Sequence, residues 1–150
     1  MQLAGKHLIH AAPAKVWAIL MNKETLAHIV PGISGLEQTG DHSFKSTLDI
    51  KLGPVSGSFT GNLQLHDLQE PNAFTLKAQQ NSKMGNANAA IAISLTPVGD
   101  NDTEVMFNGD VKLSGMLASL GNRVMGGVSN TLTKQFFSNL EKELEKTTAP

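Results

Sequence analysis

Five histidines, His7, His10, His28, His42 and His66, are the residues of this 150-residue chain best suited to moving protons or binding metal. Their spacing supports neither task. No His-Glu-x-x-His run occurs, and no predicted helix carries two histidines at i, i+4, the spacing that brings two ring nitrogens to one ion. His7 and His10 stand three apart on a predicted strand and point to opposite faces. All five read as surface or rim residues. The chain has no cysteine, which removes disulfides, thiolate metal sites, iron-sulfur clusters and cysteine nucleophiles together and fits a reducing cytosol. No metal and no cofactor are expected.

The remaining chemistry-bearing groups are also poorly placed for catalysis. Asp49, Asp67, Glu104 and Asp110 fall mainly on the polar faces of predicted strands, and the chain has no tyrosine to serve as an acid. Arg123 reads as a salt-bridged surface residue rather than a contact for an anionic head group. The glycines of 53-GPVSGSFTG-61 lie within a predicted hairpin, where they serve turn and curvature, and not between a strand and a helix as a phosphate loop requires. Lys and Arg number 12 against 13 Asp and Glu, and the basic residues are scattered, so nothing resembles a nucleic-acid footprint. The chain is not expected to be an enzyme or to bind nucleic acid.

What positions these residues is a run of alternating strands. In 43-SFKSTLDIKL-52, Phe44, Leu48, Ile50 and Leu52 share one face and Lys45, Thr47, Asp49 and Lys51 the other. After the turn 53-GPVSG-57, Val55, Phe59, Leu63 and Leu65 continue the apolar face. A turn at Glu70-Pro71-Asn72 leads to a third strand, 73-AFTLKAQQN-81. The segments 88-NAAIAISLTPV-98 and 104-EVMFNGDVKL-113 follow across 99-GDNDT-103. Ahead of this meander, 2-QLAGKHLIHA-11 reads as a weaker strand. Pro13 opens a short helix, 13-PAKVWAIL-20, and Asn22 caps a second, 22-NKETLAHI-29, which Pro31-Gly32 ends. The order predicts an α+β domain in which one long helix covers a curved antiparallel sheet.

That helix, 115-GMLASLGNRVMGGVSNTLTKQFFSNLEKELEK-146, carries Gly121, Gly126 and Gly127 in its first half. Each interior glycine costs a helix roughly 1 kcal/mol relative to alanine, so three imply a need for close approach, bending or empty space. Leu117, Leu120, Val124 and Val128 form one apolar stripe. Leu132, Phe136, Leu140 and Leu144 advance by fours, which carries the stripe around the helix by about 40° per step. A bend near Gly126-Gly127 would reconcile the two, and a small-residue surface there would leave a void beside the sheet.

The stretches 13-PAKVWAILMNKETLAHIVPG-32, 51-KLGPVSGSFTGNLQL-65 and 115-GMLASLGNRVM-125, with the Gln-Phe-Phe at 135–137, together resemble the CoxG family, named for a component of carbon monoxide dehydrogenase. That family belongs to the START-like, or SRPBCC, helix-grip superfamily. The resemblance spans nearly the whole chain. It implies a curved antiparallel sheet of about seven strands wrapped around a long C-terminal helix, with an elongated apolar cavity between them. It also implies a hydrophobic small-molecule ligand, a quinone or isoprenoid lipid, and a molybdenum hydroxylase of the carbon monoxide dehydrogenase type as partner, with a role in its membrane recruitment. Some members attach to the membrane through a C-terminal extension, whereas 141-EKELEKTTAP-150 is charged and polar. No segment approaches the ~20 apolar residues of a bilayer span, so the protein is expected to be soluble and cytoplasmic, at most at the inner face of the membrane through a peripheral contact.

The expectation is therefore one START-like domain over residues 1–146 and a polar tail over 147–150. Trp17, Ile29, Phe59, Phe107, Leu117, Leu120, Val124, Val128 and Phe136 are expected to line the cavity or its mouth, with Pro31 and Gly32 shaping an entrance loop. Two other functions fit the same fold. One is an assembly or maturation factor acting through its surface, which would show a large exposed apolar patch. The other is a small hydrolase or cyclase, which would show a polar cluster inside the cavity.

Overall fold

A computed structural model describes residues 1–148, with no statement about the side chains of 147 and 148. It contains β1 (Gln2–Ile9), α1 (Pro13–Leu20), α2 (Lys23–Ile29), β2 (Ile33–Gly40), β3 (Ser43–Leu52), β4 (Val55–Gln69), β5 (Ala73–Ser82), β6 (Gly85–Val98), β7 (Asp102–Leu113), α3 (Gly115–Ser119) and α4 (Gly121–Thr148). The strands form one curved antiparallel sheet in the order β1-β7-β6-β5-β4-β3-β2. Because α4 runs to Thr148, the first half of the expected tail is helix, and residues 149 and 150 lie outside the described residues.

Local chemistry accounts for the short elements. Pro13 occupies the first turn of α1, where its missing N–H costs nothing, and the helix buries Val16, Trp17, Ile19 and Leu20. Asn22 caps α2 through Oδ1, which accepts from the Glu24 N–H at 2.9 Å. The β3–β4 turn is tighter than 53–57: Leu52 pairs with Val55, leaving Gly53 and Pro54 as the connection, and Gly53 takes a φ of 58°. Strand β2 is not visible in the period-two pattern. It is an edge strand, paired only with β3, and its register slips between Ile33 and Gly35 and again between Gln38 and Gly40. An edge strand with such irregularities need not alternate.

The covering helix is two helices rather than one. Gly121 adopts a φ of 85°, in the left-handed region, directly after α3. It ends α3 in the manner of a C′ glycine and redirects the chain into α4. The break thus falls five residues before Gly126-Gly127, and those two stay inside α4. A Cβ added to either would meet nothing within 4 Å, so neither serves close packing.

The interior is divided. One apolar cluster joins α1, α2 and the sheet to the C-terminal part of α4, through Trp17, Ile29, Phe74, Leu95, Phe137 and Leu140 among others. A second joins α3 and the start of α4 to the β3–β4 hairpin through Ile50, Val55, Phe59, Leu117, Met125 and Val128. His28 on α2 also reaches α4, with Nδ1 3.1 Å from the Glu143 carboxylate.

The glycines of the covering segment should respond with opposite signs. Gly127→Ala is expected to raise stability by roughly 1 kcal/mol, the helix propensity difference with no steric cost. Gly121→Ala is expected to lower it by about 1–2 kcal/mol, the cost of left-handed backbone at a residue with a Cβ. Urea unfolding of the two variants beside the parent measures both, and a loss on Gly127→Ala would refute open space at that position.

Candidate functional site

Between the two clusters lies a cleft of about 250 Å³. Its floor is the inner face of the sheet, with Leu3, Leu48, Ile50, Leu76, Ile91, Ile93 and Phe107; its roof is α4 from Leu132 to Leu140; Leu20, Val30 and Pro31 close one side. The inner faces follow from strand parity, since even positions of β3 and β5 and odd positions of β6 and β7 point inward. Every lining side chain except Thr133 is apolar, and the Thr133 hydroxyl donates back to the Ser129 carbonyl at 2.8 Å. A dry apolar cavity of about 150 Å³ suffices for a benzene-sized molecule, so this one has room for something larger.

A second chamber of about 190 Å³ sits beneath the start of α4 and shares Leu48, Ile50 and Leu132 with the first. Phe59, Leu117, Met125 and Val128 are among its walls. Gln80 and Ser129 are its polar lining residues.

The Gln80 amide belongs to a polar pair buried in the sheet. Gln80 on β5 is 7% exposed and Ser46 on β3 is 1% exposed. Gln80 Nε2 donates to Ser46 Oγ at 3.0 Å and to the Asn62 carbonyl at 3.5 Å. The two residues are not on neighbouring strands: Ser46 pairs with Gly61 on β4, and Gly61 pairs with Gln80. The missing side chain at Gly61 opens the path across β4, and a Cβ there would collide with the Gln79 carbonyl. The Asn62 carbonyl can only accept, which places the amide nitrogen on that side. Gln80 Oε1 is left buried with no hydrogen-bond partner.

The expected site residues separate into groups. Phe107, Phe136 and Pro31 line the larger cleft, and Phe59, Leu117 and Val128 line the second chamber. Leu120 packs against the second cluster without lining either space. Trp17 and Ile29 are core residues behind the wall rather than part of it; Trp17 meets the lining Phe74 edge-on, with centroids 5.8 Å apart. Val124 is half-buried and belongs to neither wall. Gly32, at a φ of 74°, is tied to β3 by the Asp49 N–H, which donates to its carbonyl at 2.7 Å. Phe137, Leu132, Met125 and Gln80 line these spaces without having been expected there. Phe137 stacks on His7 at 4.5 Å, so His7, expected as a surface or rim residue, faces α4. Asp67, inward by parity, is turned out by its φ of 53° at a register shift and is exposed.

Among the described residues no group of histidines and carboxylates could hold a metal ion, and no helix is long and apolar enough to cross a membrane. The larger exposed apolar side chains are Leu8, Val98, Met106 and Met116. The first three lie on the outer sheet face among Lys6, Asp102 and Glu104, and Met116 is on α3.

Residues 5–145 match the family model of CoxG, the carbon monoxide dehydrogenase component. No functionally curated protein matches the chain. Among solved structures, a conserved protein from Geobacillus kaustophilus superposes with a TM-score of 0.95 at 27% identity, over 98% of this chain and 97% of that one. A START superfamily protein from Mycobacterium smegmatis gives 0.75 at 12% identity, over 98% and 99%. The Zhui aromatase/cyclase from Streptomyces sp. R1128 gives 0.74 at 10% identity, over 99% and 96%; at such identities these last two share the fold.

Removing the Ser46 hydroxyl tests the polar pair. Ser46→Ala takes away the 3.0 Å acceptor of a buried N–H and is expected to lower stability by about 1–2 kcal/mol in urea unfolding. A neutral outcome would mean the amide is solvated and not buried.

Proposed function

The chain belongs to the CoxG family of carbon monoxide dehydrogenase components, and from that membership and the form of its interior we propose that it is a non-catalytic carrier of a hydrophobic small molecule. The ligand class is a quinone or an isoprenoid lipid. The protein works beside a molybdenum hydroxylase of the carbon monoxide dehydrogenase type and serves its recruitment to the inner face of the membrane through a peripheral contact. The observation that carries the reading is the cleft of about 250 Å³ whose wall is apolar but for one internally bonded threonine.

The energetics are adequate. Burying on the order of 300 Å² of an isoprenoid tail at ~25 cal/mol per Å² yields roughly 7 kcal/mol before ordering costs. That corresponds to binding near the micromolar range with no polar contact at all. A catalytic reading, which the aromatase/cyclase neighbour shows the fold to accommodate, needs an acid or base at the reacting centre. The polar groups lining the two chambers are an amide and hydroxyls, none of which titrates near neutral pH.

Native mass spectrometry of the protein from its own host, followed by organic extraction, is the direct test. A stoichiometric quinone or lipid is expected; a clean apo mass together with no binding of added menaquinone or ubiquinone analogues would overturn the reading. Leu132, shared by both chambers, is the position for a blocking substitution. Leu132→Trp is expected to weaken binding of a ubiquinone analogue about tenfold or more, some 1.4 kcal/mol, with the fold intact by circular dichroism.

A further inference from the structure

We infer that Gln80 reads the head of the ligand and selects an apolar molecule ending in a hydroxyl group. The inference rests on the carrier reading and deepens it. An apolar wall ranks ligands by size and shape and discriminates weakly between head groups. Gln80 is the exception on the sheet side of the second chamber: it lines the space, is 7% exposed, and has one end of its amide committed and the other free.

The committed end fixes the polarity of the free one. Nε2 donates to Ser46 and to the Asn62 carbonyl, so the uncommitted atom is the oxygen, an acceptor. A ligand carbonyl or ether has no proton to offer and would set two acceptors against each other. A hydroxyl donates, and its arrival satisfies a buried atom that is otherwise without a partner. The shared wall at Leu48, Ile50 and Leu132 lets a tail occupy the larger cleft while the head lies in the second chamber, where Ser129 of α4 is the other polar lining residue. For a quinoid ligand the selected form is the hydroquinone; for an aliphatic one it is the alcohol.

Two matched pairs of probes test this on the full chain: decan-1-ol against its isostere methyl nonyl ether, and the reduced against the oxidised form of a decyl-substituted benzoquinone. The parent protein should bind the hydroxyl member of each pair about tenfold more tightly. Gln80→Leu should abolish that preference while still binding the ether. The pair with the larger absolute affinity identifies the source of the hydroxyl. Side-chain amide NMR of the parent supplies a readout that does not depend on the variant folding: the Gln80 resonances should move with decan-1-ol and not with the ether. Equal binding within both pairs, or equal amide shifts, would overturn the role of Gln80 and leave the carrier reading standing. Absence of binding by all four probes would overturn both.

Discussion

The structure depends on the fact that α4 is packed at its two ends and not in its middle. Its C-terminal part is held by α1, α2 and the sheet through Phe137, Leu140 and Leu144, and its start is held with α3 by the β3–β4 hairpin through Met125 and Val128. The stretch between, from Leu132 to Phe136, roofs a cleft instead of filling it. A side-chain stripe that advances by fours turns around the helix, so one straight helix cannot keep all of its apolar residues on one sheet surface. The left-handed turn at Gly121 places the Leu117 end on the second cluster, and the walk of the stripe delivers Leu140 and Leu144 to the first. The gap is what remains when two good contacts are made at the cost of a third.

A curved sheet makes the same demand from below. Gly61 sits at an interior strand position where the Gln79 carbonyl leaves no room for a Cβ, and its bareness lets the Gln80 amide reach from β5 to β3. One glycine therefore serves both the approach of two strands and the only side-chain hydrogen bond described between buried residues of the inner face. Burying an amide with one end unpaired costs about 1–3 kcal/mol, more than a leucine at that site would. Retaining it makes sense where the polar group does something other than hold the fold.

Much of this is legible in the sequence. Alternation identifies β3 to β7 because each carries several apolar residues at one parity, and Pro13 and Asn22 mark the starts of α1 and α2 by their own chemistry. The edge strand β2 is not legible, because its two register shifts break the parity on which such a pattern relies. The break at Gly121 is easily misplaced to Gly126-Gly127: a paired glycine looks like the stronger signal, yet backbone handedness is invisible in composition. Ser46 and Gln80 are within reach of the pattern. They fall at the same parity as Phe44 and Leu48 on β3 and as Phe74 and Leu76 on β5, so period two places both inward, but a search for apolar residues alone passes over them. Trp17 and Ile29 suit a cavity wall as well as a core by residue type, and only packing distinguishes the two.

Three features weaken the empty protein. The cleft forfeits packing contacts, Gly126 and Gly127 lower the propensity of α4 without touching anything, and Gln80 Oε1 is buried without a partner. Gly126 borders a separate recess between α4 and β1, beside Leu3 and Phe107, both of which also line the main cleft. A larger residue there would narrow the approach between helix and sheet edge. On the carrier reading these costs have a common relief, since a molecule bound only by the folded chain adds stability as RT ln(1 + [L]/Kd) and restores contacts across the gap. A protein evolved to be filled need not be optimally packed when empty. The weak points then lie where they should for a carrier: along the cleft, at the head-reading amide and in the half of α4 that covers both, while the β-meander and the α1–α2 cluster keep an ordinary close-packed core.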